Sequence, residues 1–168
     1  MANKYDILPY VSELGIGPDK MLTQLEKDSA LVDAYAEFSL SEHEFAWRAA
    51  WVIHHFSDKH PQQIEKYAQK YIEILPKLER DGHIREIINI LTNLNLTEEQ
   101  DGEIFDICYQ LIQSNKRQSS VRAVCFRFMM KLADNYPELK EEIKIIFDNI
   151  KDFLSPGIRN GMELRLKN

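Results

Sequence analysis

Four arginines stand 37 residues apart in this chain, Arg48, Arg85, Arg122 and Arg159. Each follows an apolar residue: Trp47, Ile84, Val121 and Ile158. A period of that length describes a supersecondary unit stacked on copies of itself. The local spacing says what the unit is made of. Apolar residues recur at three and four positions, as in Ile64, Tyr67, Ala68, Tyr71, Ile72 and Leu75. That spacing lines one face of a helix, whereas a strand would alternate by two. Six glycines and six prolines in 168 residues leave few tight turns for an all-β chain. Most of them fall in breakers between the periodic runs, "GIGP" at 15–18, "SDKHP" at 57–61, "RDGH" at 80–83, "DNYP" at 134–137 and "SPG" at 155–157. Thr97, followed by Glu98, Glu99 and Gln100, has the form of a capping box. The pattern predicts an all-α chain with helices near 18–27, 29–39, 41–56, 61–79, 83–94, 97–114, 119–133, 136–153 and 157–167.

Aligning the units on the arginines sets further residues in columns. One column holds Trp51, Ile88, Cys125 and Gly161, and another holds His54, Leu91, Phe128 and Leu164. Upstream, the pairs Ala34/Tyr35, Tyr71/Ile72, Cys108/Tyr109 and Ile145/Ile146 occupy matching places. These columns describe a buried stripe repeated in each unit. Each unit is then two antiparallel helices, neither able to hide its apolar face alone. Stacking neighbours gives one continuous core, the arrangement of an α-solenoid.

The openings of the second helices, "IRE", "VRA" and "IRN", together with Pro or a capping residue at the start of the first, resemble HEAT repeats of the armadillo type. The resemblance covers roughly residues 29–168. It implies a right-handed α-α superhelix of about four helix pairs in a single domain, 1–168, with the second helices lining the concave side. It also implies a non-catalytic protein-interaction module. Residues 1–28 fit the columns poorly and read as an N-terminal helical cap, because the end of a solenoid must turn a polar face to water.

Charge adds a candidate surface. The chain carries a net charge of −6, yet residues 116–133 sum to +5 and residues 156–168 to +2. The helix before them is acidic, with Glu98, Glu99, Asp101, Glu103 and Asp106 and no base. A basic groove on an acidic body focuses potential toward an anionic ligand. The residues expected to line it are Arg85, Arg122, Phe126, Arg127, Met129, Met130, Arg159, Met162 and Arg165, with Leu166 beside them. Arginines next to flexible apolar side chains suit an acidic amphipathic peptide or protein segment. The same strip could instead join two copies of the chain. For the arginine row itself there are two readings. Either it hydrogen-bonds neighbouring repeats as a structural ladder, or it grips the partner directly.

Other functions leave weaker traces or none. His43, His54, His55 and His60 cluster, but no HxxxH or HExxH spacing sets two ligands one helical turn apart, so no metal site is expected. His54, Trp47 and Trp51 fall in core columns and read as packing residues. No phosphate loop, GxSxG or CxxC motif is present, so no catalytic residue or cofactor is expected. A weaker, scaffold-level similarity links the chain to HEAT-like DNA alkylation-repair glycosylases, which use a basic concave face. Their paired Trp followed by a catalytic Asp has no counterpart here, since "RAA" separates Trp47 from Trp51. Nucleic-acid binding is therefore the alternative, set against the acidic total. The two cysteines, Cys108 and Cys125, read as buried free thiols in a reducing compartment. The opening "MANKYDILPY" has no signal-peptide form, and no apolar run reaches the ~18 residues of a membrane span. The expected address is the cytoplasm.

Overall fold

A computed structural model of the chain describes residues 6–13 and 17–168. Among them are ten α-helices and no strand. They are α1 (Leu8–Ser12), α2 (Pro18–Lys27), α3 (Ser29–Ser39), α4 (Ala46–Lys59) and α5 (Ala68–Ile74). There follow α6 (Asp81–Asn93), α7 (Glu98–Gln113), α8 (Ser119–Asn135), α9 (Leu139–Ile150) and α10 (Pro156–Lys167). The all-α expectation holds. Parts of the expected cap and of the "GIGP" breaker, residues 1–5 and 14–16, lie outside the described residues.

Two expected helices change form. The run at 61–79 is short 3₁₀ turns around a brief α5, because Pro61 and Pro76 open turns at Pro61–Gln63 and Leu75–Lys77 and cannot donate to a continuing α-ladder. The helix expected from 41 starts only at Ala46. Ahead of it, Ser41 Oγ donates to the Phe38 carbonyl at 2.7 Å and the Phe45 N–H donates to His43 Nδ1 at 3.2 Å. Those local bonds hold a turn in place of a helical start.

The chain divides into two compact units, one ending at Leu96 and one spanning Thr97–Asn168. In the first, α4 packs against α1, α2, α3 and α6, and α5 packs on α6. Ala34, Tyr35, Ile53, Phe56, Tyr71, Ile84, Ile87 and Leu91 are buried there. A polar chain threads this core. His83 Nε2 donates to the Ser39 carbonyl at 2.8 Å. Ser39 Oγ donates to the Ala36 carbonyl at 2.6 Å, which leaves Tyr71 as the donor of its 2.8 Å bond to Ser39. Nearby, Glu86 is 3% exposed and accepts from His54 Nδ1 at 2.8 Å and from Arg85 Nε at 3.2 Å. A carboxylate can sit this deep because both oxygens are paired.

The second unit opens at the capping box the sequence announces: Thr97 Oγ1 accepts from Gln100 N, and Gln100 Oε1 accepts from Thr97 N. In this unit α8 packs on α7, α9 and α10. Its apolar residues therefore point inward on more than one side, and Val121, Cys125, Phe126, Phe128 and Met129 are all buried. Both cysteines are free and buried. Burial, then the hydrogen bond to Cys125, pushes the Cys108 thiol up from its ordinary value, so Cys108 is not poised as a thiolate. In α10, Gly157 and Gly161 are exposed, with open space where a side chain would stand.

The repeat columns hold inside the chain and fail at its ends. Ile84 and Val121 are fully buried, whereas Trp47 and Ile158 are half-buried. Trp51 is also half-buried. In the last unit the true register falls one residue later, on Met162 and on Arg165, which is exposed as Leu164 is. A residue three past Arg159 is Met162, and Met162 is buried at 3%, while Gly161 is exposed and Leu164 is 62% exposed. A one-residue slip turns a helical side chain by about 100°, enough to exchange core for solvent. Of the upstream pairs, those in the first unit are buried, but Tyr109 and Ile145 are 41% and 62% exposed.

Part of the arginine row is a ladder. Arg48 donates to the Val11 and Ser12 carbonyls at 2.8 and 3.0 Å, at the end of α1. Arg122, 6% exposed, donates from Nη2 to the Ser114 carbonyl at 2.6 Å and from Nη1 to the Phe153 carbonyl at 3.4 Å. Those carbonyls belong to the ends of the segments before and after α8, where helices leave acceptors unsatisfied and favour a cation. Its Nε has no hydrogen-bond partner among the described residues.

Two predictions follow from these contacts. Arg122→Ala should lower unfolding stability by about 1–3 kcal/mol, since it strands two carbonyls, and the loss should exceed that of Arg159→Ala, at a half-buried site. Chemical denaturation measures both, and equal, negligible losses would refute the ladder. The second prediction concerns pH. Burial lowers the pKa of His83 below its ordinary 6.5, against the Ser39 bond. Burial raises that of Glu86, but the bonds from His54 and Arg85 win and leave it depressed. Each group binds its proton more readily unfolded than folded. The stability they give is complete above pH 6.5 for His83 and above the ordinary carboxylate value for Glu86. It is lost as pH falls through their depressed pKa values. Melting temperature should drop as pH falls from 6.5, and His83→Gln should flatten the first part of that drop.

Candidate functional site

The groove expected from sequence does not form as one lined face. Phe126, Met129 and Met162 are 1%, 0% and 3% exposed and belong to the core. The arrangement of α8 explains this: a helix covered by α7, α9 and α10 has no free apolar side to offer. Arg122 is buried on its carbonyls. Arg85, in the first unit, is half-buried on Glu86. Met130 and Arg159 are half-buried, and Arg127 and Arg165 are exposed.

What the second unit does carry is an open cleft of about 450 Å³ bounded by α8, α9 and α10. Met130, Phe147 and Leu166 supply its apolar surface. Lys140, Lys144, Lys151 and Lys167 stand around it, with Glu141, Asp148 and Glu163. Lys151 Nζ lies 2.9 Å from Asp148 Oδ1, so that pair is internally matched. Lys140, Lys144 and Lys167 are exposed and outnumber the other two carboxylates, Glu141 and Glu163. Phe147 also stacks at a tilt on Phe126, ring centroids 6.2 Å apart. The core thus supports the floor of the cleft directly.

Of the residues expected in a groove, only Met130 lines this cleft, with Leu166 beside it. Lys140 and Lys144 were missed because they lie on α9, the first helix of its pair, which the resemblance assigns to the outer side. A signal was there to be read. Lys140, Lys144, Phe147 and Lys151 are spaced at four, seven and eleven, one continuous stripe of a helix. Long lysine stems can cover apolar floor while their ammonium groups stay in water.

The first unit has its own cleft, about 580 Å³, beside Leu40, Trp47, Ile74 and Leu78. Its rim mixes Glu42, Glu44 and Glu79 with Lys77 and Arg80, so it has no clear charge preference. Trp47 and Phe45 are engaged from above by the Arg48 guanidinium, at 5.3 and 4.7 Å from the ring centroids. His54 is held by Glu86, stacks on His55 at 4.7 Å, and His55 meets the edge of Trp51 at 4.6 Å. Burial and the neighbouring His54 lower the pKa of His55. Among the described residues no group of three or more His, Cys, Asp or Glu is arranged to hold a metal ion, and no helix is long and apolar enough to cross a membrane.

A family model described as HEAT repeat domain matches residues 18–167. No curated protein and no solved structure matches the chain.

Proposed function

Because the chain belongs to the HEAT repeat family, we propose that it acts as a non-enzymatic protein-interaction scaffold whose lysine-rimmed cleft takes an acidic, amphipathic segment of a protein partner. The observation that carries the reading is the cleft between α8, α9 and α10: apolar Met130, Phe147 and Leu166 inside, exposed Lys140, Lys144 and Lys167 outside. An amphipathic helix laid into such a cleft buries its apolar face and sets its carboxylates against the lysines. Met and Leu adapt to varied side chains, which suits a scaffold with more than one client. Two of the arginines serve the repeat: Arg48 and Arg122 satisfy helix ends. Buried free thiols suit a reducing compartment, and the cytoplasm is the proposed address.

The test is fluorescence anisotropy with a labelled peptide of Leu and Glu set at helical spacing, run beside single-stranded DNA. The peptide should bind, weaken as salt rises, and weaken by about tenfold or more against Lys140→Glu/Lys144→Glu, with melting temperature checked to confirm folding. Equal affinity for the double variant, or no binding at low salt, would remove this reading. Tighter DNA binding with a steep salt slope would replace it with the nucleic-acid alternative.

A further inference from the structure

Ile145 is in the wrong place for a core residue. Its column equivalents Ala34, Tyr71 and Cys108 are all 0% exposed, but Ile145 is 62% exposed, near the middle of α9. Around it stand the exposed carboxylates Glu138, Glu141 and Glu142 on one side along the helix and Asp152 on the other. Offsets of seven, four and three before Ile145 put the three glutamates on its side of the helix, and Asp152 lies in the 3₁₀ turn Lys151–Phe153 that follows α9. Phe153, 73% exposed, follows directly. Lys140, Lys144 and Lys151 lie off that face, toward the cleft. One helix therefore carries an acidic ridge with an apolar knob and, round its side, a basic apolar hollow.

We propose that the ridge of α9 in one copy of this chain docks into the lysine cleft of a second copy. This rests on the reading of the cleft given above and names one occupant for it. The match is chemical at both ends: Ile145 and Phe153 meet Met130 and Leu166, and the ridge carboxylates meet Lys140, Lys144 and Lys167. Ridge and cleft occupy adjoining sides of one helix, with Glu141 at their shared edge, so a copy cannot lay its own ridge into its own cleft. A twofold arrangement of antiparallel α9 helices crossing at Ile145 is disfavoured. It would set Glu142 opposite the twin's Asp148 and Glu138 opposite its Asp152, like charge against like. The contact is head-to-tail, with a different surface from each copy.

Sedimentation velocity over a concentration series, at low and high salt, tests this on the full chain. The wild-type protein should associate with rising concentration and dissociate in salt. Ile145→Arg should abolish association yet still bind the Leu/Glu peptide like wild type. Lys140→Glu/Lys144→Glu should abolish association and weaken peptide binding by about tenfold or more. Mixing the two variants restores one intact ridge and one intact cleft, so it should give a heterodimer that grows no further. A wild-type protein that stays monomeric while binding the peptide overturns this inference and leaves the scaffold reading standing. So does association that survives Ile145→Arg, or a mixture that fails to pair. Loss of peptide binding by the wild type would instead strike the cleft itself.

Discussion

A helix with apolar residues on more than one side cannot end a stack; it needs cover in each of those directions. α6 and α8 are such helices. In α6 the residues from Ile87 to Leu91 are buried in succession, including Asn89, and in α8 the buried set runs from Val121 to Ala133 with few breaks. Each must sit between other helices, as the contacts of α6 with α4 and α5, and of α8 with α7, α9 and α10, show. At roughly 25 cal/mol per Å² of apolar surface, this burial outweighs any single polar contact in the repeat. The arginines follow from it. Once helices are stacked side by side, their ends crowd together and expose carbonyls, and a guanidinium with several donors satisfies two ends at once, as Arg122 does.

The same constraint explains what could be read from the sequence and what could not. The architecture was legible because a 37-residue period and a three-four spacing are properties of the chain itself. So was the capping box at Thr97, which depends on four consecutive residues. The groove was not, because deciding which side of a second helix faces water requires knowing how many neighbours it has. Phe126 and Met129 look like an exposed strip if α8 has one buried face, and like core once it has several. Ile145 shows the opposite error: equivalence by column placed it in the core, yet it stands 62% exposed among the described residues.

Charge followed a rule of its own. Counting by helix located the excess positive charge on α8 and α10, but much of it is not free to act. Arg122 is spent on backbone carbonyls, and Lys131 sits close enough to Asp101 to influence its ionisation. Two of the exposed lysines at the cleft, Lys140 and Lys144, lie instead on α9, a helix whose net charge is unremarkable because acids and lysines cancel in the sum. Sorting by face, at helical spacing, separates them.

The two glycines of α10 bear on the cleft in another way. Gly157 and Gly161 weaken the intrinsic helicity of the segment that supplies Leu166 and Lys167. One wall of the cleft is thus built on the element whose backbone gives most readily, while the opposite wall, α9, contains no glycine. An incoming segment meets a firm jaw and a yielding one. Fraying of α10 would widen the opening, and a client that fills the space would slow amide exchange along that helix before it changed anything deeper in the repeat.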